Sequence, residues 1–325
     1  MSRVLYCGDS HVRQDDLEDC SVLINGIADL VRKEAVDRVV FLGDQFHSHA
    51  IVHLEVLRFW RLNLQAFADD KMPVMMLVGN HDQPGDASSE ANALMAYEDM
   101  DYITIVDEPK MIEGILYLPY FHQSEDFVNA CRRFPEVATV ICHQEFNGAR
   151  YDNGFYSKSG VLPDSIPQSV VLSGHIHGPQ EFGKVRYLGS PRSLTVSDAN
   201  SARFLTVVDH GSLGEILCIR TFPSPCRQII RLRDTPEAPV DIVFDPRHRY
   251  HVDIVGPATW IEKRQPLFAG KSRVRTERTD KTIVKVKESE GLDKALRRYM
   301  AGFKPQLGTS TEILEGLANA RIFSR

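Results

Sequence analysis

The chain has 325 residues, 43% of them hydrophobic and 25% charged, which suits a globular protein with a substantial core and more than one compact unit. No apolar run approaches the ~20 residues needed to span a bilayer, and the N-terminal MSRVLYCGDSH leaves no room for the long apolar region of a signal peptide. These features exclude a helical membrane protein and a secreted one, and they imply a cytoplasmic chain. The net charge of -6 hides a division: from Arg247 onward there are 17 Lys+Arg against 9 Asp+Glu, leaving 21 against 35 before it. An acidic first part suits metal-binding carboxylates, and a basic second part suits a phosphate backbone, an acidic partner or simply a solvated face.

In chain order, apolar runs with strand character alternate with amphipathic stretches of helical length. RVLYC leads to a helix over 16–34, DRVVFLG to one over 52–69, and PVMMLVG to one over 88–100. YITIV, GILYLP, a helix near 124–133, TVICH, SVVLSGH, VRYLGS, RFLTVVD and EILCIR follow, so strands come to dominate. This order predicts an α/β fold of two packed mixed sheets with helices outside, four αββα layers in all. The proline-rich stretch TFPSPCRQIIRLRDTPEAPVDIVFDP reads as a connector holding a strand or two. The boundaries expected are a catalytic domain over 1–222, a connector over 223–245, a small basic α+β cap over 246–304 and a terminal helix over 305–325. Within the cap, TIVKVK reads as a strand and LDKALRRYMAGF as a helix. In the terminal segment Ile313, Leu314, Leu317, Ile322 and Phe323 recur at helical spacing. Six cysteines without CxxC spacing read as buried thiols rather than a disulfide framework or a zinc site.

Chemistry concentrates where the strands stop: Asp9 and His11 in GDSH, Asp44 and His47 in GDQFH, Asn80, His81 and Asp82 in GNHD, His143 in ICHQE, and His175 and His177 in SGHIH. Singly, each is ordinary, because a lone histidine is more often structural than a ligand and Gly-Asp commonly marks a turn. Together they form a set of carboxylate, imidazole and amide donors suited to Mn²⁺, Fe²⁺ or Zn²⁺, without the thiolates of a closed structural zinc site. Seven such donors exceed what one ion with an open position needs, so two divalent ions sharing a carboxylate are expected. His49, His53, His122, His210, His248 and His251 lack this context and are left unassigned.

The series Asp-x-His, Gly-Asp, Gly-Asn-His-Asp, His and Gly-His-x-His resembles that of the calcineurin-like metallophosphoesterases over about residues 3–210. The resemblance implies that Asp9, His11, Asp44 and His177 hold one metal and Asp44, Asn80, His143 and His175 the other. It places His81 beside the scissile phosphate, where it protonates the leaving oxygen or stabilises the charge developing there. Within the superfamily the chain is similar to the SbcD-type recombination nucleases of the Mre family, above all their short phage versions. GDQFHS, with His47 placed to contact His81, CHQEFNG and YLGSPRSLTVSD carry that likeness. It implies exonuclease action on DNA duplex ends, endonuclease action on single strands or hairpins, Mn²⁺ ahead of Mg²⁺, and DNA contacts from Asn147 and Arg192. The implied partner is an SbcC-type coiled-coil ATPase docked by the terminal helix; homodimerisation stays open, and the setting is DNA-associated cytoplasm, the host's for a phage protein. Two other readings stand beside it: the same chemistry on nucleotides, cyclic nucleotides or phosphoproteins, and a scaffold that has lost catalysis. The second requires broken ligands, and none of the seven is missing.

Overall fold

The computed structural model describes residues 1–49, 51–85 and 91–280. Strands β1 (Ser2–Cys7), β2 (Arg38–Phe41), β3 (Val74–Leu77), β4 (Ile103–Val106), β11 (Phe204–His210) and β12 (Ile216–Pro223) form a first sheet in the order β12-β11-β1-β2-β3-β4. Strands β5 (Lys110–Ile112), β6 (Ile115–Leu118), β7 (Thr139–His143), β8 (Val170–Gly174), β9 (Gln180–Phe182) and β10 (Val185–Tyr187) form a second in the order β5-β6-β7-β8-β10-β9. Strands β1 to β4 are mutually parallel, as are β6, β7, β8 and β10, while the remaining strands add antiparallel edges.

The apolar runs have a direct cause in this layering, because a strand between two covered faces must bury both sets of side chains. Leu5, Cys7, Val39, Phe41, Val74 and Met76 point outward against α1 (Leu17–Glu34) and α2 (Leu54–Asp69), packing on Leu23, Ile27, Trp60, Leu64 and Phe67. Their alternates Val4, Tyr6, Val40, Leu42, Met75 and Leu77 meet Ile115, Tyr117, Ile141 and Leu172 of the second sheet. Val140, Cys142 and Val171 face α3 (Ser124–Arg132) through Phe127, Val128 and Cys131. The result is the four-layer αββα sandwich expected, with each fully buried Val, Leu, Ile or Phe contributing ~1.5–3 kcal/mol.

Two expectations need correction. The helix expected over 88–100 is, within its described part, a 3-10 turn at Ala93–Tyr97. Asn92 is extended and accepts from the backbone N–H groups of Leu94 and Met95, so a continuous helix cannot cross it. Of the six cysteines, Cys218 is exposed, on the outer edge strand β12, and the other five are buried.

A third, parallel sheet orders β13 (Ile229–Asp234), β14 (Arg249–Gly256) and β15 (Arg273–Arg278), with α4 (Ala258–Arg264) packed on it through Ile261. Strand β13 lies inside the proline-rich connector, and its Asp234 pairs with Arg264 at 2.6 Å. The TIVKVK strand, the LDKALRRYMAGF helix and the terminal helix lie outside the described residues.

Candidate metal centre

The carboxyl ends of β1, β2, β3, β7 and β8 meet along one edge of the sandwich, and the polar residues after each strand turn into a common space. Asp9, His11 and His177 form one potential cation-binding group, and Asp44, His143 and His175 another. Asn80 joins the second group, its Oδ1 lying 3.0 Å from His143 Nε2 and 2.9 Å from His175 Nδ1. Asp44 spans the two, 3.4 Å from His11 Nε2 through Oδ2 and 3.3 Å from His143 Nε2 through Oδ1.

Reaching this arrangement strains the chain. His11, Asp44 and His175 have φ of 43°, 54° and 82°, a backbone region that costs a side chain energy and that Asp and His tolerate better than most. Gly43, at φ 108°, leaves the space that the His143 ring occupies: a Cβ there meets Nδ1 at 2.2 Å.

The donors converge within hydrogen-bonding distance of one another. His143 Nδ1 is 2.7 Å from the Leu42 carbonyl, which can only accept, so Nδ1 carries the hydrogen. Its Nε2 faces the Asn80 and Asp44 oxygens and meets them as a donor when the ring is protonated. His11 Nε2 and His177 Nε2 share one hydrogen bond at 3.1 Å, while Asp9 Oδ2 and His11 Nδ1 are buried without any partner. Buried polar atoms left unpartnered within a cluster of imidazole, carboxylate and amide groups are what divalent cations satisfy, so the donor set fits metal binding. Among the residues themselves Asp44 and His143 pair as opposite charges. Burial opposes ionisation of Asp44, but His143 and then His11 and His81 outweigh it and hold its carboxyl well below the usual range. Burial likewise opposes a charged His143, yet Asp44 and Asp9 prevail and raise it to about 9.

His81 sits at the mouth of this group, its ring edge-on to His11 with centroids 4.6 Å apart. Its Nδ1 lies 2.6 Å from the carbonyl oxygen of His47, and its backbone N–H donates to Asp44 Oδ1 at 2.8 Å. His47 therefore contacts His81 through its main chain, while the two rings lie 6.1 Å apart.

Of the two residues expected at DNA, Arg192 is buried away from the surface. Arg192 is 2% exposed, donates to the carbonyls of Ser10 and His11, and pairs with Asp16 at 2.6 Å and Asp19 at 3.4 Å. The ion pairs satisfy its buried charge, so it is a strut under the His11 turn rather than a surface cation. Asn147 Nδ2 donates to the Lys158 carbonyl at 2.9 Å.

Several neighbours were not foreseen. The His49 ring stacks on His81 at 3.9 Å, and its Nδ1 lies 2.6 Å from the Asn80 carbonyl. Tyr120, just past the end of β6, stacks on His175 at 5.8 Å. Asp152 lies 3.8 Å from His177 Nδ1. Tyr120 had a usable signal, since it follows the carboxyl end of another parallel strand; His49 and Asp152 had none beyond their nearness to the motifs.

Residues 2–179 match the Calcineurin-like phosphoesterase family, and the chain belongs to it; enzymes of this family use divalent metals. Among curated relatives it is 27% identical over 223 residues to Exonuclease subunit 1 of Enterobacteria phage T4, covering 64% of each chain. It is 28% identical over 194 residues to Putative phosphoesterase 078R of Invertebrate iridescent virus 3, covering 54% of this chain and 53% of that one. It is 25% identical over 262 residues to the D subunit of the SbcCD nuclease of Bacillus subtilis (strain 168), covering 64% and 66%. The chain thus spans less than two thirds of the length of each of these relatives. No helix among the described residues is long and apolar enough to cross a membrane.

Proposed function

We propose that the chain is a two-metal nuclease subunit that hydrolyses phosphodiester bonds in DNA and works with an SbcC-like coiled-coil ATPase. The observation that carries the chemistry is the His81 ring, held at Nδ1 by the His47 carbonyl and set beside Asp44 and His11. The DNA substrate and the partner draw support from two relatives named as an exonuclease subunit and as the D subunit of a two-part nuclease. In this reading Asp9, His11, Asp44 and His177 hold one divalent ion and Asp44, Asn80, His143 and His175 the second, with Mn²⁺ favoured by the imidazole and amide donors. Such ions supply Lewis acidity toward phosphoryl oxygens and acidify a water toward neutral pH.

The protein supplies orientation and a proton. Because Nδ1 is engaged by a carbonyl, Nε2 is the nitrogen free to serve the leaving oxygen, as a donor when the ring is protonated. Stacking with His49 and the perpendicular contact with His11 restrict the ring's orientation. The test is incubation of the full chain and Mn²⁺ with end-labelled duplex, hairpin and single-stranded DNA, with and without the ATPase. Cleavage of DNA that disappears in Asp44→Ala is expected. Hydrolysis of nucleotides or phosphopeptides with every DNA left intact would sink the DNA assignment and keep the phosphoesterase one.

A further inference from the structure

Beside the candidate centre the segment RYDNGFYSK, residues 150–158, folds into a tight hairpin that none of the chemistry above uses. Arg150 pairs with Tyr156 across it, the Tyr151 N–H donates to the Phe155 carbonyl at 2.8 Å, and Gly154, at φ 87°, makes the reversal. Its stem is fixed at several points. The Tyr151 and Ser157 hydroxyls both donate to Glu145 Oε1 at 2.5 Å, Ser157 N–H donates to the Ala149 carbonyl at 2.7 Å, and Asn147 holds the Lys158 carbonyl. One arm of the hairpin, Tyr151, Asp152 and Asn153, lines the same cleft as His175 and His177, so this arm borders the centre up to the tip at Gly154.

At that tip Phe155 and Tyr156 are 73% and 61% exposed, and neither ring meets another aromatic side chain among the described residues. Two adjacent aromatic rings held in water by a braced turn are costly unless something covers them. Arg150 and Lys158 flank the pair, and neither has a carboxylate partner among the described residues. The nearby acids are already engaged, Glu145 by Tyr151 and Ser157, and Asp152 with His177. Flat apolar faces beside cations with no ion-pair partner among the described residues, on the edge of a phosphoesterase centre, match the chemistry of a single-stranded nucleic acid: bases that stack, phosphates that pair with the cations.

We infer that Phe155 and Tyr156 are a stacking platform for unpaired bases of single-stranded DNA next to the bond being cut, with Arg150 and Lys158 holding the adjoining phosphates. This rests on the phosphodiesterase reading and gives it a preference, for substrates whose bases near the cut are unpaired. Because the stem is braced independently of the two rings, removing a ring takes away a binding face without releasing the hairpin.

The test is fluorescence anisotropy of labelled oligo-dT with the full chain in chelator, so that nothing is cut, alongside a blunt duplex of the same length. Phe155→Ala and Tyr156→Ala are each expected to weaken oligo-dT binding about tenfold, with Phe155→Trp and Tyr156→Phe staying within about twofold of wild type. Duplex affinity should change far less, and the tryptophan of Phe155→Trp should be quenched by oligo-dT. Alanine variants that melt like wild type and bind oligo-dT as tightly, or that lose duplex and single-strand binding equally, overturn the platform. If the wild type binds and cuts DNA in that case, the nuclease reading survives; a wild type that neither binds nor cuts any DNA overturns both.

Discussion

His81 Nδ1 lies 2.6 Å from the carbonyl oxygen of His47, and a carbonyl cannot donate, so this one contact decides which nitrogen of the ring is free. The consequence can be tested apart from metal binding. His81→Ala is expected to lower DNA cleavage on the order of 10²–10⁴-fold while leaving metal content largely intact, because His81 is proposed as a proton donor and not a ligand. Asp44→Ala should lose both. Elemental analysis showing His81→Ala stripped of metal, with His143→Ala fully loaded, would reverse the roles.

Gly43→Ala should fail for a local reason. The new methyl would meet His143 Nδ1 at 2.2 Å, and the backbone φ of 108° disfavours any side chain. A loss of about 1–3 kcal/mol is expected, together with weakened metal binding, since relief requires the His143 ring to move. Calorimetric melting in chelator separates the two effects. A variant as stable as wild type, with its metal affinity unchanged, would show that the contact relaxes freely.

Arg192 offers a choice between two readings of one residue. As a buried strut, its removal leaves Asp19 without its cation and Asp16 with only the more exposed Arg13 at 3.1 Å, and Arg192→Ala is expected to cost about 3–5 kcal/mol. As a DNA contact, its removal would instead lower the salt slope of DNA binding by about one. Loss of thermal stability with an unchanged salt slope is the expected outcome, and Arg192→Lys should fall between. Acid melting gives an independent check. Burial opposes the charge on Asp16, but Arg192 outweighs it and depresses its carboxyl. The stability from this pairing is thus present above the ordinary carboxylate pKa of about 4 and is lost as pH falls through the lower folded value. In Arg192→Ala that acid-sensitive component should be reduced to the smaller share that Arg13 supplies.

The thiols provide a simple probe of the layers. Burial pushes Cys131 and Cys226 up to about 12, and Cys7, Cys20 and Cys142 are raised by burial as well, whereas Cys218 lies exposed on β12. Brief alkylation of the native chain at neutral pH should label Cys218 and spare the other five. Rapid labelling of Cys142, which packs between β7 and α3, would contradict the packing of the second sheet.

These residues also mark what was legible in the sequence. Strands buried on both faces leave continuous apolar runs, so VLYC, VVFL and VMML announced themselves, and ligands at their carboxyl ends inherit that legibility. Contacts made through the main chain leave no such trace. The tie between His47 and His81 was expected, but nothing in the residue types says that a carbonyl makes it. Depth is equally hidden: Arg192 in a Gly-Ser-Pro-Arg turn reads as a surface cation until Asp16 and Asp19 are seen around it. The stacking of His49 on His81 depends on how the loop after β2 folds back, which no periodicity records.

The last prediction concerns the crowding of donors. Asp9 Oδ2 and His11 Nδ1 are both buried without a partner, in the midst of the clustered imidazole and carboxylate groups. Each is unfavourable in the metal-free chain, because a buried polar atom left unsatisfied costs ~1–3 kcal/mol. Cations that relieve them bind the folded state only, so their binding energy adds to stability, by about 2.7 kcal/mol at a hundredfold excess over Kd. Adding Mn²⁺ to chelated protein should therefore raise the melting temperature by several degrees. Calorimetric titration should show two binding events, and Mg²⁺ should do less because imidazole and amide donors favour the softer ion. Asp44→Ala, which removes the carboxylate between the two groups, should bind weakly and gain little. A single event under conditions that support catalysis, or a stabilisation matched by Ca²⁺ at equal ionic strength, would refute the shared-carboxylate centre.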